Sequence, residues 1–222
     1  MPMGFLSDSD RITVITGHYG SGKTNLAANL AFRLREEGKE VTVVDLDIVN
    51  PYFRTADFSR SFAEAGIRLI APVYARTNVD APVLPPEIDS VFFSTDHVII
   101  DVGGDDAGAF ALGRYSAKLK AAGYRMLYVL NRFRYLNGEE QEEQELIPLI
   151  EAASRLKVTA LVNNSHLCNE TTAGHLAEGL EFAREISRKT GLPLQFSTAP
   201  KGIPFPEDEP CLPVDILVKA PF

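Results

Sequence analysis

Three groups of residues have side chains and spacings suited to phosphate chemistry. Gly17-His18-Tyr19-Gly20-Ser21-Gly22-Lys23-Thr24 fits the pattern G-x-x-x-x-G-K-[ST]. Its glycines let the backbone turn tightly, so that several N–H groups and the positive end of a following helix face phosphate oxygens. Lys23 would then reach β- and γ-phosphates, and Thr24 would offer its hydroxyl to Mg²⁺. Asp45 and Asp47 stand two apart on an extended stretch, so both carboxylates can point to one side. That spacing suits one acid near Mg²⁺ and one near an attacking water; the other reading has one of them capping the turn at Asn50-Pro51. Asp101 ends the apolar run Val98-Ile99-Ile100 and precedes Gly104 by three residues. It would bind the ion through water, while Gly104 would let a loop sense the γ-phosphate. Asp105 and Asp106, just before Ala107-Gly108-Ala109, read rather as helix caps.

These residues need a strand before the loop and a helix after it. Arg11 to Thr16 is a β-branched apolar run of strand type, and Asn25 to Glu37 repeats Leu26, Leu30 and Leu34 on one helical face before Gly38. Glu40–Val44 reads as a second strand that delivers Asp45 and Asp47 at its carboxyl end. A short helix closes over Phe62–Gly66, with strands at Ile67–Ile70 and His97–Asp101. The Pro-rich stretch Ala71–Pro86 reads as a long surface loop. One helix is expected over Gly108–Ala122, then a strand at Arg125–Leu130. The acidic run Glu139–Glu145 opens a helix after Asn137 that Pro148 should break or restart. A strand at Val158–Val162, a helix over Thr172–Lys189 and a last strand at Leu194–Thr198 precede a Pro-rich tail from Pro200. Alternating strands and crossover helices predict an α/β fold: a three-layer, doubly wound, mostly parallel sheet.

The chain has 222 residues, which suits one domain, 1–222. Its net charge of −8 argues against non-specific nucleic-acid binding, which draws on clustered Lys and Arg. No apolar run approaches the ~20 residues of a membrane span, and the Pro-bounded segment Pro213–Phe222 does not suit a membrane-surface helix. Met1–Leu6 lacks the features of a signal peptide. With only Cys168 and Cys211, a reducing cytoplasmic setting is expected rather than a disulfide framework. His166, Cys168 and Cys211 match no common metal spacing.

The loop GHYGSGKT, the stretches VVDLDIVNP and VIIDVGG, and the late GIPFPEDE segment together resemble the MinD/ParA/CobQ-type P-loop NTPases, within the signal-recognition and BioD-like branch, over almost the whole chain. The resemblance implies the P-loop NTPase fold and a nucleotide cradle running from Gly17 through Asn25. Lys23 and Thr24 would serve the phosphates and Mg²⁺, Asp45 and Asp101 would lie near the metal, and Asp47 would position the hydrolytic water. The usual working form is a nucleotide-dependent dimer. GTP-specific relatives carry Asn-Lys-x-Asp after a late strand; here Val162-Asn163-Asn164-Ser165-His166 has no Asp to pair with guanine, which favours ATP. Asn163 or Asn164, and Pro206-Glu207-Asp208, match the positions that contact adenine, unless the Asn amides tie down a turn.

One residue departs from the family pattern. MinD/ParA ATPases carry a lysine directly after the first glycine, reaching the partner subunit's nucleotide, whereas this chain has His18. His18 is either a weak cationic substitute or a loop residue without a catalytic part, and Arg54, Arg132 and Arg134 are other candidates for that charge. The expected function is a Mg²⁺-dependent ATPase acting as a nucleotide switch on a partner protein. The alternatives are a BioD/CobB-like ligase or small-molecule kinase, and a nucleotide-binding module without significant hydrolysis.

Overall fold

A computed structural model describes residues 11–47, 58–72, 85–104, 106–134 and 140–218. Expectations for the chain start, Asn50-Pro51, Arg54, most of the Ala71–Pro86 loop, Asp105, Asn137 and the last four residues lie outside the described residues, as does the side chain of Asp106. The described residues form one eight-stranded sheet with every pairing parallel. The strands are β1 (Ile12–Gly17), β2 (Val41–Leu46), β3 (Arg68–Ile70), β4 (His97–Val102), β5 (Arg125–Leu130), β6 (Ala160–Asn163), β7 (Leu194–Pro200) and β8 (Cys211–Val214). Their order is β3-β2-β4-β1-β5-β6-β7-β8. β1 therefore lies between β4 and β5, and its carboxyl end opens at the point where the order reverses, the place where such sheets bind ligands.

The helices are α1 (Lys23–Glu36), α2 (Ser59–Glu64), α3 (Asp106–Gly113), α4 (Ser116–Ala122), α5 (Glu140–Ser154) and α6 (Ala173–Thr190). Side chains alternate across the strands, so successive residues of β1 serve different layers. Val14 packs with Leu112, Leu119, Ile147 and Phe182, from α3, α4, α5 and α6. Ile15 packs with Leu26, Leu30 and Phe62, from α1 and α2. This is the expected three-layer, doubly wound arrangement of a P-loop NTPase, with a sheet that is parallel throughout rather than mostly so.

Three local expectations are corrected. The helix expected over 108–122 is two helices, because the α3 to α4 junction is pinned to α5. The Gly113 carbonyl accepts from the Arg155 guanidinium, and a Cβ on Gly113 would stand 2.8 Å from Ala153 O. α5 runs straight through Pro148. Ile147 and Ile150 on either side of it are buried in the core, and that packing offsets the missing N–H. The Pro-rich tail contains β8, where Leu212 and Val214 are buried and Pro213 between them is exposed. Proline fits there because the open side of an edge strand needs no donor.

Candidate functional site

Residues 17–24 bridge β1 and α1 as the pattern requires. Gly22 sits at φ 87° as the residue before α1, a conformation that glycine adopts without strain. Its missing Cβ matters as well: the Asn164 amide nitrogen would lie 2.3 Å from one. Asn164 uses this space to donate to Ser21 O at 2.8 Å, fastening the loop to the end of β6. The first turn of α1 has no acidic residue and no side-chain cap, so the positive end of the helix meets the loop with no negative side chain of its own. Lys23 is buried, and its Nζ donates to His18 O at 2.9 Å, curling the loop over its own ammonium group.

Strand pairing brings the acids to this loop. Asp45 and Asp101 are register partners on β2 and β4, and Ile15 of β1 pairs with Asp101 on the other side. Asp45 and Asp101 are essentially inaccessible, while Asp47 is 9% exposed. Asp45 Oδ1 accepts from Asp47 N at 2.9 Å, so Asp45 itself shapes the chain leaving β2. Thr24 Oγ1 donates to Asp101 Oδ2 at 2.8 Å, and Asp101 Oδ1 is buried without a hydrogen-bond partner. Burial, followed by the nearby Asp45, pushes the Asp101 carboxyl up to about 7, with Lys23 and the Thr24 hydroxyl pulling against them. A carboxylate with a bare oxygen, an adjacent acid and a hydroxyl within reach is a site short of positive charge. Thr24, Asp45 and Asp101 therefore fit a divalent cation. Among the described residues no three acids, cysteines or histidines form a ready-made metal cage. Mg²⁺ does not demand one, since it keeps waters and takes phosphate oxygens alongside one or two protein groups.

Gly104 closes the site from the β4 side. A Cβ there would stand 2.6 Å from Tyr19 N and 2.7 Å from Lys23 Nζ, so only glycine lets this backbone lie against the loop. Gly103 lies beside Asp47, whose Oδ1 would be 3.0 Å from a Cβ.

Other expected residues are placed differently. Asn25 is buried, and its amide holds the chain after β8, donating to Asp215 O at 3.1 Å and accepting from Leu217 N at 2.8 Å. Asn163 donates to Ser197 Oγ at 3.1 Å and accepts from Ser165 N at 3.1 Å. Asn164 holds Ser21 and accepts from Thr198 Oγ1 at 2.5 Å. Both amides thus tie loops together, the second of the two readings the sequence left open. Pro206, Glu207 and Asp208 are exposed, in a turn whose Glu209 pairs with Arg184 beyond the midpoint of α6. Because α6 runs away from the carboxyl edge of the sheet toward the start of β7, this pairing draws the turn away from the loop that cradles phosphates. Arg134 is committed to Glu142 and Glu143 with its side chain 1% exposed, and Arg132 lies over the Phe182 ring with its Nε 3.5 Å from Glu178. Arg134 is thus buried and paired, while Arg132 keeps an exposed side chain.

Sequence reasoning missed the partner of His18. Its Nε2 lies 3.2 Å from Glu142 Oε1 on α5. Position in the acidic run could not distinguish Glu142 from its neighbours, since the contact depends on where α5 lands.

Comparison with known proteins agrees with the fold. The family model described as the CobQ/CobB/MinD/ParA nucleotide binding domain matches residues 12–176. Similar solved structures include the cell division protein FtsY of Thermotoga maritima, with TM-score 0.58 and 19% identity over 88% of this chain and 65% of that one. The 54 kDa signal recognition particle protein of Aeropyrum pernix K1 in complex with GDP gives 0.56 and 17%, over 85% and 41%. The signal recognition particle receptor FtsY of Elizabethkingia anophelis in complex with GDP gives 0.53 and 20%, over 85% and 57%. At these identities the likeness is one of fold, and the chain spans less than two thirds of each. No curated protein matches.

Proposed function

The chain belongs to the CobQ/CobB/MinD/ParA nucleotide-binding domain family, and from that premise we propose that it is a Mg²⁺-dependent ATPase acting as a nucleotide switch on a partner protein. In this reading residues 1–222 work as one nucleotide-binding domain in the reducing cytoplasm, where Cys168 and Cys211 stay free thiols. The working form is a nucleotide-dependent homodimer. The observation that carries the reading is the cluster of buried Lys23, Asp45, Asp47 and Asp101 with half-buried Thr24, in which one Asp101 oxygen has no hydrogen-bond partner. An isolated fold does not need such a cluster, and burying the acids costs stability that a bound cation and polyphosphate would restore.

Each residue has a task. Lys23 leaves His18 O for the β- and γ-phosphates, where a charge-assisted bond replaces a neutral one. The backbone donors of residues 17–24 and the start of α1 receive the remaining phosphate oxygens. Thr24, Asp45 and Asp101 would hold Mg²⁺, which neutralises charge on the phosphates. Asp47 orients the attacking water, and Gly104 keeps the β4 loop close enough to sense the γ-phosphate.

ATP rests on the missing guanine-reading Asp after β6. The solved structures that carry GDP make GTP the competing base. Calorimetric titration of ATP and GTP with Mg²⁺ distinguishes the two, and tighter GTP binding overturns the base assignment. In the same titration Lys23→Ala is expected to weaken ATP binding roughly 10- to 100-fold. Heats equal to those of the unsubstituted protein would overturn the site. A second reading, a module that holds nucleotide without turning it over, draws on His18 standing where the family has lysine; phosphate release in a single-turnover assay excludes it.

A further inference from the structure

We propose that Glu142 is an internal competitor for the phosphate loop, holding His18 until nucleotide phosphates displace it and so linking the loop to α5. The proposal rests on the reading that residues 17–24 bind phosphates. His18 is engaged at both ends: its carbonyl accepts from Lys23 Nζ at 2.9 Å, and its Nε2 lies 3.2 Å from Glu142 Oε1. The second Glu142 oxygen accepts from Arg134 Nη2. Arg134 Nε lies 3.5 Å from Glu143 Oε1, and Glu143 Oε2 accepts from the Tyr128 hydroxyl at 2.5 Å. A continuous polar chain thus runs from the phosphate loop through the N-terminal part of α5 into the middle of β5.

The two ends of this chain differ in strength. The Arg134 and Glu143 side chains are 1% and 0% exposed, and Tyr128 is fully buried. Arg134 and Glu143 are held together as a buried ion pair rather than by a hydrogen bond, and such a mount resists rearrangement because separating the pair leaves uncompensated buried charge. The His18 and Glu142 side chains are 24% and 39% exposed, so their contact is weak and open to competition. A triphosphate entering the loop would draw Lys23 off the His18 carbonyl, offer the imidazole a stronger acceptor and place like charge near Glu142. His18 then turns to the phosphates and Glu142 is left with Arg134. The early turns of α5 lose their tie to the loop, so α5 is the element that registers nucleotide.

Hydrogen exchange and calorimetry on the full chain test this, using a non-hydrolysable ATP analogue with Mg²⁺. In nucleotide-free protein, Glu142→Gln and His18→Asn should each speed exchange over residues 142–150 and 17–22, and adding His18→Asn to Glu142→Gln, which also loosens the Arg134 pair, should speed exchange no further. The analogue should speed exchange at 142–150 in the unsubstituted protein but not in the variants. Its affinity should rise about 2- to 5-fold in Glu142→Gln, the size expected for one exposed pair. Unaltered exchange in nucleotide-free Glu142→Gln, or analogue binding that leaves 142–150 unchanged in the unsubstituted protein, overturns the proposal. Failure of the unsubstituted protein to bind the analogue overturns the nucleotide reading and the competition with it, while the nucleotide-free exchange still decides whether the tether exists.

Discussion

Asp45, Asp47 and Asp101 are three acids with three different surroundings, and the differences set their expected roles. Asp101 bonds Thr24 through one oxygen and leaves the other bare, and Asp45 accepts from the backbone of Asp47. Asp47 is the most accessible of the three and lies beside Gly103, on the loop leaving β4. In the proposed mechanism it is the acid that meets a water at the phosphates. Asp47→Ala should keep ATP affinity within a few-fold and lower single-turnover phosphate release by roughly 100-fold or more, the usual scale for losing a positioned general base. Rapid-quench measurement of both quantities checks this, and turnover equal to that of the unsubstituted protein removes Asp47 from the role. The residue types at these positions were legible in the sequence. Their division of labour was not, because burial and the partner of each oxygen depend on how β2 and β4 align.

At the scale of elements, the local patterns marked most strands and helices to within a residue or two. They failed where long-range packing prevailed: at the α3 to α4 break pinned by Arg155, at Pro148 within α5, and at β8. The β8 miss has a consequence for α1. Asn29 Nδ2 donates to Asp215 O at 2.9 Å and to Asn25 O at 2.8 Å, and its Oδ1 accepts from Asp215 N at 2.8 Å. With Asn25 it fastens the chain after β8 to the helix that follows the phosphate loop. Asn29→Ala leaves the Asp215 backbone N–H without this acceptor, and should lower unfolding free energy by about 1–3 kcal/mol. Urea denaturation measures that loss, and exchange at 211–218 should rise more than exchange at β1. An unchanged midpoint would show that the fastening contributes nothing.

For the whole molecule, stability toward acid provides a test independent of nucleotide. His166 is buried beyond β6; its Nδ1 accepts from Cys168 N at 3.3 Å, and its Nε2 has no hydrogen-bond partner. Burial lowers its pKa from 6.5 to about 4. Between those values the unfolded chain binds a proton that the native state does not, so this contribution is fully present above 6.5 and is lost as pH falls toward 4. Denaturant titrations at neutral pH and near pH 4.5 should show His166→Gln losing about 2–3 kcal/mol less than the unsubstituted protein across that interval. Equal losses would show that His166 does not titrate in this way. By itself the sequence determined the phosphate loop, its strand and helix, and the alternation that builds a parallel sheet. Those features are written in contiguous residues, through backbone conformation and side-chain period. Only the tertiary structure decided which groups meet there: Asp101 with Thr24 across 77 residues, Asn164 with Ser21 across 143, Asn25 with Asp215 across 190, and Glu142 with His18. Such pairings follow from strand order and from where each helix lands on the sheet, and neither is encoded in any one stretch of chain.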